Sequence, residues 1–165
     1  MKKDKTCCFT GHRKLPLEFH QGIKKQLEFE VEKLIKAGVT TFMAGGALGF
    51  DTLAALTVLK CKKKYSQVKL FMIYPCKNQT KGWDKKSTLL YEYIKKQADS
   101  FLYIAEEYSR ACMFQRNRYL VDHSKYCICY LTRNQGGTAY TVHYAEKKGI
   151  TIANIAAVMA ENTTV

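Results

Sequence analysis

The stretch FMAGGALGFDTLAAL, residues 42–56, joins one apolar segment to an Ala-rich second one through GGALGFD, residues 45–51. Glycines between two apolar runs are typical of a turn from a buried strand into a helix. GGALGFD differs from the dinucleotide-binding pattern G-x-G-x-x-G, and it lacks the Lys-Ser/Thr pair that ends a P-loop. This stretch alone is compatible with two interpretations. It can be a set of backbone amides that binds a phosphate, or only a tight strand-to-helix turn.

The same alternation of strand and helix extends outward in both directions. Short apolar runs predict strands at 6–11, 39–44, 68–75, 100–105, 125–132 and 150–155. Segments with helical apolar spacing lie between them, at 16–38, 52–64, 83–99, 113–124 and 136–149. Strands that are apolar on both faces and alternate with helices predict a doubly wound α/β fold, with a mainly parallel sheet and helices on both faces. We expect one domain over 1–165, with its core at about 6–155 and a short C-terminal tail.

The composition limits the classes of partner. The 165 residues include 27 Lys and Arg against 14 Asp and Glu, a formal net charge of +13 that attracts nucleotides and other polyanions. No apolar run reaches the roughly 20 residues of a membrane span. We therefore expect a cytoplasmic protein without a membrane partner.

The cysteines do not predict a metal site. There are seven of them, an odd number, and no C-x-x-C pair occurs. We expect reduced, mostly buried thiols, no metal and no resident cofactor.

Four polar or glycine-rich loops follow predicted strands and should meet at one edge of the sheet. In an open parallel sheet, ligands bind beyond the carboxyl ends of the strands. A further candidate is the start of the helix at 113–124, where a cation opposes the helix dipole and a bound anion would explain it. The candidate ligand-binding residues are Gly11, His12, Arg13, Gly45, Gly46, Gly49, Asp51, Gln79, Trp83, Arg116, Asn117, Gly136, Gly137 and Thr138.

Several of these side chains have alternative explanations. His12 and Arg13 suit a phosphate contact or proton transfer, and they also suit a surface turn. Asp51 can cap the helix, accept a hydrogen bond from a ribose hydroxyl or hold its own loop. Thr138 can cap a helix or bind a phosphate oxygen. Trp83 can stack on a base or fix its loop to the core. Most of the eleven tyrosines suit core packing, without the clustering of a base-stacking platform.

The order of the motifs is similar to one known family. TGHR at 10–13, GGALGFD, a loop with Pro75, Gln79 and Trp83, RNRYLVDHS at 116–124, and GGT at 136–138 resemble the YpsA-like branch of the SLOG superfamily, small bacterial proteins. The resemblance covers roughly residues 6–155. It implies a Rossmann-like fold and a nucleotide or nucleotide-derived ligand at the loop edge.

Two groups of relatives in that superfamily supply alternatives. LOG-like phosphoribohydrolases carry P-G-G-x-G-T-x-x-E with a catalytic Glu, where this chain has Thr141, although Glu146 follows one turn later. DprA-type proteins, which bind single-stranded DNA, carry motifs close to GGALGFD and RNRYLVDHS. We expect a nucleotide-binding sensor or regulator, with a phosphoribohydrolase and a single-stranded DNA-binding protein as alternatives. The catalytic residues and the ligand stay unidentified, and a homo-oligomer stays open.

Overall fold

The computed structural model describes residues 1–163 and contains a six-stranded sheet. The strands are β1 (Thr6–Gly11), β2 (Thr41–Ala44), β3 (Lys69–Cys76), β4 (Ser100–Ala105), β5 (Tyr126–Tyr130) and β6 (Thr151–Asn154). Their order across the sheet is β4-β3-β2-β1-β5-β6, and every neighbouring pair is parallel. The predicted α/β fold with a parallel sheet is confirmed. Residues 164 and 165 of the predicted domain lie outside the described residues.

Six α-helices cover the two faces of the sheet within residues 1–163. They are α1 (His20–Lys36), α2 (Phe50–Lys62), α3 (Lys85–Gln97), α4 (Arg110–Asp122), α5 (Gly137–Lys147) and α6 (Ile155–Asn162). The apolar side chains of α1, α2, α3 and α6 join one core cluster, whereas those of α4 and α5 join the other. None of these helices combines the length and the apolar character that crossing a membrane requires.

Alternate residues of each inner strand point into opposite clusters. In β1, Cys7 and Phe9 pack with the α1 side while Cys8 packs with the α4 side, and all three side chains are fully buried. This two-sided burial explains why the strands are continuous apolar runs in the sequence. All seven cysteines are buried and free, as the sequence predicts.

The direction of chain winding reverses at β1. The chain proceeds from β1 through β2 and β3 to β4 at one edge, and then returns to place β5 on the other side of β1. The loops that leave β1 and β5 therefore turn toward opposite faces and open a crevice between them. This switch point fixes where a ligand site can form.

Helix α6 (Ile155–Asn162) occupies most of the segment predicted as a short C-terminal tail. Asn154 caps α6 by accepting a hydrogen bond from the Ala156 amide at 3.2 Å. The same carboxamide oxygen accepts from the Leu131 amide at 3.1 Å, so the cap is joined to the end of β5. Ile155 is fully buried, and the apolar face of α6 packs on α1.

Candidate functional site

A cleft of about 540 Å³ opens at the carboxyl ends of β1 and β5, the switch point of the sheet. Nine of the fourteen predicted site residues line it: Gly11, His12, Arg13, Asp51, Arg116, Asn117, Gly136, Gly137 and Thr138. The sequence analysis missed further wall residues, including Lys14, Tyr108, Arg110, Met113, Phe114, Arg133 and Gln135. Tyr108 and Arg110 follow β4 at the same sheet edge, so the rule that selected the other loops also applies to them.

Two glycines lock the loop after β1 to the start of α2. A Cβ on Gly11 would lie 2.3 Å from the ring of Phe50, and one on Gly49 would lie 2.3 Å from the carbonyl oxygen of Arg13. The Phe50 amide donates to the His12 carbonyl oxygen at 3.1 Å. Gly49 also has φ +76°, which other residues rarely adopt. Gly11 and Gly49 therefore position His12 and Arg13 by close backbone packing.

The Gly45-Gly46 pair is a packed turn, and neither glycine lines the cleft. A guanidinium nitrogen of Arg116 donates to the Gly45 carbonyl oxygen. A Cβ on Gly45 would lie 2.1 Å from that nitrogen and 2.9 Å from the Asp51 carboxylate. At Gly46, with φ +72°, it would lie 2.5 Å from the Tyr74 ring. The absence of side chains on this pair thus leaves room for the buried guanidinium of Arg116.

Asp51 and Arg116 are oppositely charged groups buried together in the cleft wall, with 5% and 4% of their surfaces exposed. Asp51 accepts from the Ala47 amide at 3.3 Å, and Arg116 also donates to the Asn117 carboxamide oxygen at 2.8 Å. Burial raises the pKa of Asp51, and the charge of Arg116 opposes that rise. Burial likewise lowers the pKa of Arg116, opposed by Asp51. Asp51 thus holds its own loop, and its contact with a ribose hydroxyl stays a prediction.

His12 connects the loops after β1 and β5 through its imidazole. Its Nε2 accepts from the Thr132 amide at 3.0 Å, so Nε2 is unprotonated and the ring proton is on Nδ1. Burial lowers the pKa of His12, and the nearby charge of Arg133 lowers it further. His12 is therefore a neutral positioning group, with Nδ1–H as its remaining donor.

The N-terminus of α5 gives the cleft a positive wall. Gly136, at φ +91°, precedes the helix, and no side chain among residues 1–163 caps the first turn. Four exposed cationic side chains share the cleft with it: Arg13, Lys14, Arg110 and Arg133. Among the wall residues within 1–163, Asp51 is the only carboxylate, and it is buried. Uncapped amides, the helix dipole and these cations together favour an anionic ligand.

Gln79 and Trp83 lie away from the cleft wall. The Trp83 ring meets Tyr91 edge to face, with centroids 5.8 Å apart, and packs against the core. The Gln79 carboxamide oxygen is buried beside Gly46 without a hydrogen-bond partner. The Trp83 ring thus packs its loop against the core, and stacking on a base stays a prediction.

The position of the LOG-like glutamate offers no carboxylate to the cleft. Thr141 is buried, and its hydroxyl donates to the Gly137 carbonyl oxygen at 2.8 Å. Glu146 is exposed, pairs with His143 at 3.1 Å and is not part of the wall. Within residues 1–163, no group of three or more His, Cys, Asp or Glu side chains is arranged to hold a metal ion.

An aromatic and cationic groove adjoins the cleft. The groove lies between α4 and α5 and has a volume of about 420 Å³, enclosed by Ala111, Phe114, Gln115, Arg118 and Tyr140. The rings of Phe114 and Tyr140 are 4.6 Å apart, and Arg118 donates to the Tyr140 hydroxyl at 2.7 Å. The sequence analysis missed this cluster because the residues come from two helices that only the fold brings together.

Comparisons with known proteins agree with the fold and the motif order. The uncharacterized SPbeta prophage-derived protein YoqJ of Bacillus subtilis is 31% identical over 138 residues, 76% of this chain and 81% of YoqJ. DNA processing protein A (DprA) of Streptococcus pneumoniae superposes with a TM-score of 0.67 at 18% identity, over 91% of this chain and 50% of DprA. This chain thus spans half of that DprA chain. DprA of Helicobacter pylori, described in a structure of its single-stranded DNA binding mode, gives 0.64 at 16% identity, over 98% and 74% of the two chains.

The family comparison covers most of the chain. The model of YpsA, described as the YspA SLOG family, matches residues 7–159, a span that includes every wall residue named above. The chain therefore belongs to the YpsA family of SLOG proteins.

Proposed function

We propose that the cleft binds a nucleotide or a nucleotide derivative, and that the protein acts as a sensor or regulator. One observation carries the proposal: the uncapped N-terminus of α5 meets four exposed cationic side chains at the switch point of the sheet. The arrangement offers amide donors and positive charge to a phosphate group. Family membership and the fold support a ligand of this class.

Each wall element has a role in this proposal. The amides at Gly136, Gly137 and Thr138 bind phosphate, and Arg13 and Arg133 neutralise its charge. Asn117 lines the cleft with its carboxamide oxygen already bonded to Arg116, so its remaining donors are available to a ribose hydroxyl. The wall's one carboxylate is occupied by its own loop, and this favours binding over hydrolysis.

Titration calorimetry with a nucleotide panel that includes ADP-ribose and NAD tests the proposal. We expect at least one member to bind the unmodified protein, and Arg133→Gln to weaken that binding about 10-fold or more, because a charged hydrogen bond is lost. Lys86→Gln, which removes the same charge from an exposed site outside the cleft, is the matched control and should leave affinity unchanged. Failure of every nucleotide to bind would contradict the proposal, as would equal weakening by both variants.

A second candidate function, single-stranded nucleic-acid binding, is favoured by the groove between α4 and α5. Phe114 borders both the groove and the cleft, so a strand could place phosphates in the cleft and a base on the groove. Fluorescence anisotropy with a labelled oligothymidylate would show a steep loss of affinity with salt, and a shallower slope for Arg118→Gln. No binding at low salt would remove this candidate.

A further inference from the structure

The cleft wall combines two kinds of chemistry. It carries the first turn of α5 with Arg13 and Arg133, and it also carries Tyr108, Met113 and Phe114. Tyr108 is 64% exposed, although it is a large aromatic side chain on a concave wall. An exposed aromatic ring beside a positive wall suits a ligand that is anionic at one end and planar and apolar at the other.

The backbone that carries Tyr108 is held in place on both sides. Its amide donates to the Asn78 carboxamide oxygen at 2.9 Å, and Lys77 pairs with Glu106 at 2.8 Å. On the other side, the Ser109 hydroxyl caps α4 by accepting from the Cys112 amide at 3.0 Å. The Tyr108 ring itself has no ring contact with any residue in 1–163. Its main chain is preorganised while its ring is available.

Phe114 packs close to the first turn of α5. Its ring lies 4.6 Å from that of Tyr140, whose amide donates to the Gly136 carbonyl oxygen in that turn. The Arg110 guanidinium lies over the Phe114 ring at 5.8 Å and adds a cation beside it. Phe114 and Tyr108 therefore share the cleft with the groups that favour a phosphate. A nucleotide carries both a phosphate and a planar base, so it can contact both kinds of wall group.

We propose that Tyr108 and Phe114 form a nucleobase subsite, in which the Tyr108 ring stacks on the base of a nucleotide whose phosphate lies at Gly136–Thr138. This inference rests on the proposed function, and it assigns the stacking on the base to Tyr108 instead of Trp83. The tyrosine hydroxyl is not required, since stacking uses the face of the ring.

The experiment compares nucleotides with a ligand that has no base. Calorimetry measures the affinity of AMP, GMP, CMP, UMP and ribose 5-phosphate for the unmodified protein and for three variants. Tyr108→Ala should weaken the tightest-binding of the four nucleotides about 5- to 100-fold, the range expected from base stacking, and leave ribose 5-phosphate unchanged. Tyr108→Phe should retain the nucleotide affinity.

Tyr93→Ala is the matched control, because Tyr93 is 52% exposed on α3 and lies outside the cleft. It should leave every affinity unchanged, and unchanged melting temperatures would show that the variants fold. Equal affinity for nucleotides and ribose 5-phosphate in the unmodified protein, or equal weakening of both by Tyr108→Ala, would overturn the subsite while the phosphate site stands. Absence of binding by all five probes would overturn the subsite and count against the proposed function itself.

Discussion

Two Gly-Gly pairs in this chain follow parallel strands and precede helices, yet the structure uses them in opposite ways. At Gly45-Gly46 an added Cβ would lie 2.1 Å from Arg116 and 2.5 Å from Tyr74 respectively. At Gly136-Gly137 an added Cβ would meet nothing within 4 Å. The first pair allows buried side chains to pack closely against the backbone, and the second leaves the N-terminus of α5 open.

The positions of the strands explain the difference. Gly45 follows β2, an inner strand, where α4 places Arg116 over the turn. Gly136 comes after β5, beside β1 at the switch point, where the loops diverge and open the cleft. The Gly-Gly sequence is the same in both places. Only the strand order shows whether a neighbouring side chain packs against the pair or the pair faces the open cleft.

Removing the Arg116 guanidinium, which packs on the Gly45-Gly46 pair, should cause the largest loss of stability. Arg116→Met leaves Asp51 buried without its compensating charge, which costs about 3–5 kcal/mol of unfolding free energy. Urea denaturation measures this loss. The double variant Asp51→Asn with Arg116→Met should be more stable than Arg116→Met alone, and an equally unstable double variant would contradict the electrostatic coupling of the two groups.

Gly45→Ala should cause the second-largest loss of stability. Its methyl group must displace two buried charged side chains, and such overpacking costs about 1–3 kcal/mol. Gly137→Ala is the matched control, since the new methyl group has open space and Gly137 has no positive φ. We expect chemical denaturation to show no loss for the control. Equal losses for both would remove the distinction between the two pairs.

A charge introduced at the second pair should separate stability from binding. Gly137→Asp places a carboxylate in the first turn of α5, where the helix dipole stabilises it by about 0.3–1 kcal/mol. The same charge should repel an anionic ligand, so calorimetry should show nucleotide binding lost. Gly137→Asn, of similar size and neutral, should retain most of the affinity. Undiminished binding by Gly137→Asp would place the anion elsewhere.

The pH dependence of His12 should be the smallest effect. Its pKa is lowered from 6.5 by burial and by Arg133, so the folded state favours the neutral ring. The stabilisation that this ring contributes is present above pH 6.5 and is lost as pH falls below it toward the folded-state pKa. Thermal melts should therefore show a larger cost of His12→Gln at pH 7.5 than at pH 5.5. A cost that grows on acidification would contradict the neutral assignment.

The sequence predicts the fold well and part of the lining of the cleft. Two-sided apolar strands with intervening helices define the parallel sheet, and the rule that ligands bind at strand ends selects His12, Arg13 and Gly136–Thr138 correctly as neighbours. It could not show that Gly45 seats Arg116, because residues 71 positions apart in sequence make that contact. It also missed α6, whose cap Asn154 depends on a contact with Leu131.

The aromatic groups show the same limit. Trp83, the chain's one tryptophan, was an obvious candidate for stacking, but its ring packs on Tyr91. Tyr108 carries no motif and is marked only by its place after β4 and by its exposure on the cleft wall. Solvent exposure of an aromatic ring is a property of the folded chain, so residue type alone did not distinguish the two.

A crystal structure of the protein with a bound nucleotide tests the central claim most directly. We predict phosphate density against the amides of Gly136, Gly137 and Thr138, flanked by Arg13 and Arg133, with Gly45 still bonded to Arg116. Phosphate density at Gly45-Gly46 with Arg116 displaced toward it, or a nucleotide bound outside the cleft, would contradict the account.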